Sequence, residues 1–306
     1  SSMTRRRKRF CIALSILLLL AVCIWTGNNR LHVSRYEIGI ADLDPAFDGF
    51  RAVQISDLHS KTFGRDQERL ARKVSDLSPD VILCTGDMVD SRLFREEPVY
   101  ALIKKLTDIA PVYMVSGNHE WWTAGGYLEM IPRLESLGAH VLENEADAIE
   151  RDGARLWVIG LSDEDHLAAQ AYYGAQEGRT NPGEPLAEAA AGEDYSGDTM
   201  DTALLALLAD RGAPVLLLSH RPEYFPLYVQ SGADVVFSGH AHGGQIRIPF
   251  VGGIVAPGQG VFPRYDGGVY REGATTMVVS RGLGNSLFPL RVFNPPDVVY
   301  ATLRAD

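Results

Sequence analysis

Five short runs of apolar residues in this chain each end in the same small set of polar side chains. The runs are rich in Val, Ile and Leu, and each closes on Ser or Gly followed by Asp, Asn or His. They occupy residues 53–59, 81–87, 112–120, 215–220 and 235–242. Runs of this length and composition are typical of buried strands. Polar residues placed directly after such strands predict a site at the carboxyl edge of a sheet.

The polar residues at these strand ends form five motifs. They read Asp57-x-His59, Gly86-Asp87, Gly117-Asn118-His119-Glu120, His220 and Gly239-His240-x-His242. Carboxylate, amide and imidazole suit divalent metal ions, and a carboxylate can bridge two of them. A single His is more often a hydrogen-bonded structural residue than a ligand. Five of the eight histidines fall in the motifs, however, which favours a shared metal site.

This set of motifs resembles that of the calcineurin-like metallophosphoesterases, over about residues 50 to 303. The segment from Gly282 to Pro296 is similar to the membrane-associated bacterial phosphodiesterase branch. The resemblance implies an α/β (α+β) fold, a four-layer αββα sandwich of two mixed β-sheets flanked by helices. It also implies a phosphoesterase in which a hydroxide that bridges two metal ions attacks phosphorus.

The resemblance further implies individual roles for eight residues. The first metal would be held by Asp57, His59, Asp87 and His242. The second would be held by the bridging Asp87 together with Asn118, His220 and His240. His119 would be the catalytic residue that protonates or steadies the leaving oxygen. The implied cofactors are two divalent ions, which we expect to be Mn, Fe or Zn.

Several residues beside the motifs are open to more than one interpretation. Glu120 is expected to support the site rather than to bind metal. Arg221 could contact a substrate phosphate or form an ion pair, and the loop from Phe250 to Tyr270 could close over the metals or simply form turns. Three histidines outside the motifs are expected to be structural or exposed: His32, His140 and His166.

The N-terminus combines a basic tip with an apolar stretch. Residues 5–9 are all Arg or Lys, and the stretch from Phe10 to Trp25 is interrupted only by Ser15. This stretch would span ~24 Å as a helix, somewhat less than a ~30 Å hydrocarbon core. We expect residues 1–26 to be an uncleaved single-pass anchor in the cytoplasmic membrane, with a cleaved secretion signal as the alternative. The basic tip would remain inside, which places the catalytic domain in the extracytoplasmic space.

The remaining chain is predicted to hold a lead-in segment at 27–49 and a metallophosphoesterase domain at 50–306. Apolar spacing predicts helices near 70–77, 99–109 and 128–137, the last burying Leu128, Ile131, Leu134 and Leu137. Further strands are expected at 31–40, 140–142, 156–161, 275–280 and 297–303. Residues 162–201, rich in Ala, Gly and acids, are interpreted as a surface insertion with a short helix at 166–173, or alternatively as a lid. Helix is expected to return at 202–208.

The net charge of the chain limits the classes of molecule that it is expected to bind. The net charge is -10 although the first nine residues carry five basic side chains, so the predicted domain is strongly acidic. Such a domain is a poor candidate for binding nucleic acid. We expect a phosphorylated small molecule or lipid substrate, with a phosphodiester or pyrophosphate bond in a lipid-linked or cell-envelope molecule. The sequence indicates no oligomeric state.

Two alternative functions remain open from the sequence. One is a nucleotide-lipid pyrophosphohydrolase resembling UDP-diacylglucosamine hydrolases, which would suit a cytoplasm-facing site better. The other is a non-catalytic, membrane-tethered scaffold that keeps the fold for binding.

The predicted anchor can be tested by cell fractionation. An uncleaved membrane helix should keep the full-length protein in the membrane pellet after an alkaline wash, because hydrocarbon burial does not depend on ionic contacts. Immunoblotting of pellet and supernatant measures this. Release of full-length protein by alkali would contradict the anchor, and a shorter soluble product would indicate a cleaved signal.

Overall fold

The computed structural model describes residues 2–163, 204, 207–208, 211–285 and 290–306. Most of the predicted insertion at 162–201, the helix at 166–173 and His166 therefore lie outside the described residues. Of the helix predicted at 202–208, Leu204, Leu207 and Leu208 are described and are helical.

The first of two six-stranded sheets contains three of the five motif strands. Its spatial order is β1 (His32–Ile40), β16 (Asp297–Ala305), β2 (Arg51–Ile55), β3 (Val81–Thr85), β4 (Val112–Val115) and β5 (Ala139–Val141). β16 runs antiparallel to β2, whereas β2 to β5 are mutually parallel. The carboxyl ends of β2, β3 and β4 consequently lie side by side at one edge.

The second sheet holds the other two motif strands. Its order is β14 (Gly268–Glu272), β15 (Thr275–Val279), β9 (Val235–Ser238), β8 (Val215–Ser219), β7 (Ala154–Leu161) and β6 (Glu145–Arg151). The four central strands are parallel, and β6 and β14 are antiparallel edge strands. Both sheets are therefore mixed, as expected.

Alternating side chains build a core on each face of the sheets. Val81 and Leu83 of β3 point to the second sheet and pack in one cluster with Leu216 and Phe237. Ile82 and Cys84 of the same strand point outward, to a layer of helices: α2 (Glu68–Ser75), α3 (Glu97–Thr107), α4 (Asn118–Trp121) and α5 (Gly126–Ser136). On the far side, α6 (Phe225–Ser231) covers the second sheet. The four layers confirm the predicted αββα sandwich.

The buried face of α5 differs from the prediction. The helix buries Tyr127, Met130 and Leu134, whereas Leu128 is 45% exposed and Ile131 is only partly buried. The helix begins at Gly126, so its first turn directs Tyr127 inward against Trp121. The apolar residues of this segment fit two overlapping helix faces. Contact with the segment before the helix determines which of the two faces is buried.

Two edge strands were missing from the prediction. β6 has a mixed pattern of acids and Ala that lacks a clear apolar face, and β14 begins inside the predicted loop from Phe250 to Tyr270. Two small hairpins lie at the start of that loop and just before it: β10 (Arg247–Ile248) pairs with β11 (Gly252–Gly253), and β12 (Val255–Ala256) pairs with β13 (Gly260–Val261). Backbone pairing rather than side-chain pattern defines these elements.

The N-terminal helix, α1 (Ser2–Asn29), is longer than the apolar stretch that predicted it. Residues Thr4–Asn29 are long and apolar enough to cross a membrane. These 26 residues span ~39 Å at ~1.5 Å per residue, more than a ~30 Å hydrocarbon core. Phe10 and Leu17 are each 68% exposed, so the apolar surface of the helix is not covered by the domain.

The last turn of α1 is fixed to the domain. The Asn28 carbonyl accepts a hydrogen bond from Lys61 Nζ at 2.5 Å, and Asn28 Oδ1 accepts one from the Arg291 backbone N–H at 3.2 Å. Arg69 donates to the Asn29 carbonyl at 3.1 Å. The donors from Lys61 and Arg69 satisfy carbonyl groups that a helix leaves unpaired at its C-terminus. The helix therefore continues directly into contacts with the globular part.

The face of α5 can be tested by a matched pair of substitutions. Met130→Ala should lower the free energy of unfolding by about 2–5 kcal/mol, because it leaves a cavity in the core. Leu128→Ala should change it by no more than about 0.5 kcal/mol. Urea unfolding in mild detergent measures both. Equal losses at the two positions would mean that the helix is rotated relative to this structure.

Candidate metal centre

The structure brings all eight predicted site residues together between the carboxyl edges of the two sheets. Each is at most 7% exposed. Those that follow the first sheet are Asp57, His59, Asp87, Asn118 and His119. Those that follow the second sheet are His220, His240 and His242. The cluster therefore straddles the seam between the sheets, and neither sheet could form it alone.

Five of the seven predicted ligands have left-handed backbone conformations. The φ angles of Asp57, His59, Asp87, His240 and His242 lie between 48° and 64°. Such a conformation costs of order 1–3 kcal/mol for a residue with a side chain, and strain of this kind gathers at functional sites. The chain thus turns sharply at each strand end to direct these side chains into one small volume.

Two glycines allow the segments to approach closely. Gly86 has a φ of +87°, and a Cβ there would lie 2.6 Å from the Gly117 nitrogen and from His220 Nδ1. A Cβ on Gly117 would lie 2.4 Å from Asp87 Oδ1. The two glycines therefore act in different ways, Gly86 by allowing a turn and Gly117 by allowing close packing.

A first group of donors surrounds one point. The Nε2 atoms of His59 and His242 face each other at 3.1 Å. His242 Nε2 lies 3.4 Å from Asp57 Oδ1, and His59 Nε2 lies 3.6 Å from Asp87 Oδ2. One ligand atom from each of these four side chains falls within 4.8 Å of the others, a spacing that could hold one ion.

A second group lies on the other side of Asp87. His220 Nε2 is 3.1 Å from His240 Nδ1 and 3.3 Å from Asp87 Oδ2. Asp87, His220 and His240 also have ligand atoms within 4.8 Å of one another. Asn118 is buried and precedes His119, whose backbone N–H binds Asp87, and Asn118 Oδ1 has no hydrogen-bond partner among the described residues. This second group could hold another ion.

Asp87 belongs to both groups, and its two oxygens have different roles. Oδ1 accepts the His119 backbone N–H at 2.9 Å, which fixes the carboxylate. Oδ2 is the atom that faces both His59 and His220. Burial alone would raise the pKa of Asp87, but His220, His119 and His59 hold it well below its usual range. A charged carboxylate oxygen therefore stands between the two groups of donors.

The donor set fits a pair of cations. Asp57 Oδ2 and Asn118 Oδ1 are buried without a hydrogen-bond partner among the described residues, which is costly unless something positive binds there. Burial lowers the pKa of His59 to about 3 and those of His240 and His242 well below their usual range. These three imidazoles are therefore neutral, and a neutral imidazole has a lone pair to offer a metal ion.

His220 differs from the other three histidines in its charge. Burial alone would lower its pKa, but the carboxylates of Asp87 and Asp57 raise the pKa to about 10. The proton on His220 then supplies the positive charge that these two buried acids require. A cation bound beside Asp87 supplies the same charge, so the proton on Nε2 can leave and free that nitrogen as a ligand.

Hydrogen bonds select the tautomers of two histidines. His220 Nδ1 donates to the Thr85 carbonyl at 2.7 Å, so the lone pair of the neutral ring is on Nε2, toward Asp87. His119 Nδ1 accepts the Ser91 backbone N–H at 3.2 Å, so its proton is on Nε2 in the neutral form. The His119 ring packs edge-on against His59, with centroids 4.6 Å apart. One histidine is thus arranged as a ligand, the other as a proton donor.

Glu120 supports the Asp87 turn, as its position next to the motif suggested. Its carboxylate accepts backbone N–H groups from Asp87 and Gly117 at 2.8 Å, Met88 at 2.7 Å and Val89 at 3.0 Å. All four bonds are buried. Glu120 therefore holds the backbone that carries the shared carboxylate.

Asp90 was not identified from the sequence. Its Oδ1 lies 3.8 Å from His119 Nδ1, and Asp90 forms a third close group with His59 and His119. The sequence feature that could have identified Asp90 is its position three residues after Asp87, directly after a pair of apolar residues. Asp90 therefore places a carboxylate beside the His119 ring.

The structure distinguishes the alternatives left open for several neighbours. Arg221 forms a two-pronged ion pair with the buried Asp163 at 2.8 and 2.9 Å, which favours the ion-pair interpretation. His140 pairs with Asp147 on the surface, and His32 pairs with Asp297. Both of these histidines are structural, as expected.

The two tryptophans after Glu120 differ in environment. Trp121 is buried and donates to Ser116 Oγ at 2.7 Å. Trp122 is partly exposed and lies beside His119, with ring centroids 5.1 Å apart. One is therefore part of the core, and the other forms a wall next to the cluster.

Comparison with known proteins finds a family for most of the domain. The family model for calcineurin-like phosphoesterases matches residues 50–244. The "uncharacterized metallophosphoesterase YkuE" of Bacillus subtilis (strain 168) is 29% identical over 284 residues, covering 90% of this chain and 87% of that protein. A "transmembrane protein with metallophosphoesterase domain" of Danio rerio is 26% identical over 303 residues, covering 96% of this chain and 62% of that protein. This chain therefore spans less than two thirds of the zebrafish relative.

A further relative and a solved structure are also similar. The "UDP-2,3-diacylglucosamine pyrophosphatase LpxG" of Chlamydia muridarum (strain MoPn / Nigg) is 25% identical over 305 residues, covering 90% of this chain and 91% of that protein. The crystal structure of TT1561 of Thermus thermophilus superposes with a TM-score of 0.49 and 16% identity, covering 76% of this chain and 90% of that one.

The supporting role of Glu120 can be tested without measuring turnover. Glu120→Gln replaces acceptor oxygens with an amide that cannot accept all four backbone donors, so the Asp87 turn should loosen. We expect metal affinity to fall about 10–100-fold. Competition with a fluorescent chelator measures it, and the exposed Glu129→Gln is the matched control. Unchanged affinity in Glu120→Gln would show that the carboxylate does not position Asp87.

Proposed function

The chain belongs to the calcineurin-like phosphoesterase family and is a phosphoester hydrolase, and from this premise we propose the bond that it cleaves. The proposed target is a phosphodiester or pyrophosphate bond in a lipid-linked or cell-envelope molecule. Residues 50–306 would form the catalytic domain, 27–49 a lead-in, and 1–26 a membrane anchor. The observation that carries the proposal is the shared Asp87 carboxylate between two groups of buried imidazoles, beside a helix suited to a bilayer.

We assign the metal ligands as the sequence implied. Asp57, His59, Asp87 and His242 would hold the first ion. Asp87, Asn118, His220 and His240 would hold the second. The distances around Asp87 Oδ2 and the buried unpaired oxygens of Asp57 and Asn118 support this assignment. The mixture of oxygen and nitrogen ligands suits Mn, Fe or Zn.

The chain's own residues define the rest of the proposed chemistry. The two divalent ions that these residues would hold would supply a water of lowered pKa and positive charge for the phosphoryl oxygens. Glu120 and the His119 backbone N–H keep Asp87 fixed while charge changes around it. His119 carries its proton on Nε2 and would donate it in a hydrogen bond to the leaving oxygen, where it steadies the negative charge that develops. Asp90 lies beside the other nitrogen of this ring. No side chain of the cluster needs to form a covalent bond to substrate.

Proximity to the anchor supports a lipid-linked substrate. Asn28, in the last turn of α1, accepts the Arg291 backbone N–H, and the Arg291 side chain donates to the Gly284 carbonyl at 2.8 Å. The Gly284 N–H in turn binds the Asp57 carbonyl at 2.5 Å. Among the described residues, Arg291 and Gly284 thus connect the end of α1 to a proposed metal ligand. The name of the Chlamydia muridarum relative also favours a substrate with acyl chains.

Membrane attachment has support from two sides, the apolar helix and the name of the zebrafish relative. We propose a single-pass anchor in the cytoplasmic membrane with the catalytic domain outside, because the basic residues at 5–9 favour a cytoplasmic tip. A nucleotide-lipid pyrophosphohydrolase is the second candidate, favoured by the Chlamydia muridarum relative, and it would suit the opposite orientation.

The proposed chemistry can be tested with full-length protein in detergent. Protein stripped of metal and reloaded with Mn²⁺ should hydrolyse a generic aryl phosphodiester. Asp87→Asn should lose both bound metal and turnover, because one anionic oxygen serves both sites. His119→Ala should keep its metal but lose about 10²–10⁴-fold in kcat, the usual contribution of a general acid.

His140→Ala is the matched control, since His140 lies on the surface in a pair with Asp147. It should keep both metal and turnover. Two bound ions without hydrolysis of any phosphodiester or pyrophosphate, under Mn, Fe or Zn, would instead support the scaffold alternative. Full activity in the His119→Ala variant would show that His119 has no role in the proposed mechanism.

A further inference from the structure

The two small hairpins that follow His242 expose a set of large apolar side chains. We call this set, together with the nearby Phe293, the apolar ridge. Its members are Ile248 at 42% exposure, Phe250 at 109%, Val251 at 62%, Val261 at 65%, Phe262 at 63% and Phe293 at 72%. Single exposed apolar residues are ordinary, but a contiguous group beside a site marks a surface that binds something apolar.

The apolar ridge is built on a turn of the candidate metal centre. The Ile254 N–H binds the Gly244 carbonyl at 3.2 Å, and the Asn294 side chain donates to the His242 carbonyl at 2.6 Å. The backbone of His242 and Gly244 therefore supports both the hairpins and the segment that bears Phe293. Whatever binds the ridge lies close to the cluster.

The apolar ridge is also continuous with the end of α1. Ile246 pairs with Val292 in an isolated parallel bridge, and the Arg247 N–H binds the Val292 carbonyl at 3.0 Å. The neighbouring residue, Arg291, donates its backbone N–H to Asn28 Oδ1 at 3.2 Å. One short segment, 291–293, thus touches the last turn of the helix at one end and the first hairpin at the other.

The position of α1 in a bilayer would set the depth at which these contacts lie. Trp25 is 65% exposed and is the last large apolar residue of α1, a position where tryptophan marks the membrane interface. Asn28 lies three residues further, about 4.5 Å along the axis at ~1.5 Å per residue. Residues that bind Asn28 must therefore lie at the level of the lipid headgroups, and side chains just beside them can reach acyl chains.

Basic side chains accompany the apolar ridge. Arg247 and Arg264 line a cavity of about 520 Å³ together with Ile248, Phe250, Val251 and Phe293. Arg264 is exposed and lies over the Tyr265 ring at 5.1 Å, while Arg247 pairs with Asp266 at 3.1 Å. Apolar side chains flanked by arginines match a surface of acyl chains and phosphate groups.

We propose that the apolar ridge inserts into the headgroup and upper acyl layer of the same bilayer that α1 crosses. This inference rests on the proposed membrane anchor. The domain is then held at the membrane by two contacts, a spanning helix and an interfacial ridge, and it cannot swing freely about a tether. The candidate metal centre opens at the lipid surface, where a phosphate bond of a lipid-linked substrate lies.

Depth-dependent fluorescence quenching in full-length protein tests the proposal. Cys11 and Cys23 are replaced by Ser, and the buried Cys84 is retained because it is inaccessible to label. A bimane probe is attached at Phe250→Cys in vesicles of phosphatidylethanolamine with phosphatidylglycerol. Spin-labelled lipids carry the quencher just below the headgroups.

Two other probe positions serve as controls. Leu17→Cys lies in the middle of α1 and reports on the anchor itself. Asp152→Cys lies in the exposed turn between β6 and β7, at the edge opposite the strand carboxyl ends, and should remain in water. We expect lipid quenching at Phe250→Cys to exceed that at Asp152→Cys several-fold, and Leu17→Cys to be quenched as well.

Each other outcome overturns the inference in a recognisable way. Quenching at Leu17→Cys alone would leave the anchor and the proposed function intact but place the ridge in water. A blue-shifted Phe250→Cys probe without lipid quenching would mean that protein, such as a second copy of the chain, covers the ridge. A lack of quenching at Leu17→Cys would contradict both the membrane anchor and the insertion of the apolar ridge. Metal-dependent turnover of an aryl phosphodiester by the same samples reports separately on the chemistry.

Discussion

The Asp87 carboxylate is the point on which the rest of the candidate site depends. Its Oδ2 lies between His59 and His220, at 3.6 and 3.3 Å, and these histidines come from different sheets. Its Oδ1 and the surrounding backbone are held by the His119 N–H and by Glu120. This negative oxygen contacts imidazoles that follow both sheets. Because a buried charge is costly unless it is compensated, the two sets of imidazoles share this oxygen as a partner.

The site is costly to build, and the sandwich around it supplies the rigidity that maintains it. Five of the proposed ligands adopt left-handed backbone conformations, and Asp57 and Asn118 bury oxygens with no partner among the described residues. Three apolar clusters, one between the sheets and one on each outer face, fix the strands whose ends carry these residues. The strain is then stored at strand ends, where backbone pairing stops and turns can be sharp. A rigid scaffold with strained ends provides ligand geometry in advance of metal binding.

The attachment of α1 gives the site a fixed relation to its surroundings. Lys61 and Arg291 bind the last turn of the helix, and both belong to segments that contact Asp57 or follow it closely. Burial lowers the pKa of Arg291 to about 10, yet it remains charged at neutral pH and binds carbonyl groups of its own segment. A membrane helix that ended in a loose linker would leave the orientation of the domain undetermined. Here the helix end, Arg291, Gly284 and the candidate metal centre are joined by hydrogen bonds.

The sequence by itself determined the strands that carry the motifs and the sheet edge at which their polar residues gather, because apolar runs of this length that end in polar side chains are typical of buried strands. The roles of the individual residues were implied by the family resemblance. The sequence could not choose the face of α5, since Leu128 and Met130 fit two overlapping apolar patterns, and the packing of Tyr127 against Trp121 selects one of them. It also missed β6 and Asp90, whose identities depend on a neighbouring strand and a neighbouring imidazole rather than on local pattern. Only the tertiary structure decided which oxygen of Asp87 is shared and where the helix end meets the domain. Both depend on distances between segments far apart in the chain, which local residue patterns do not encode.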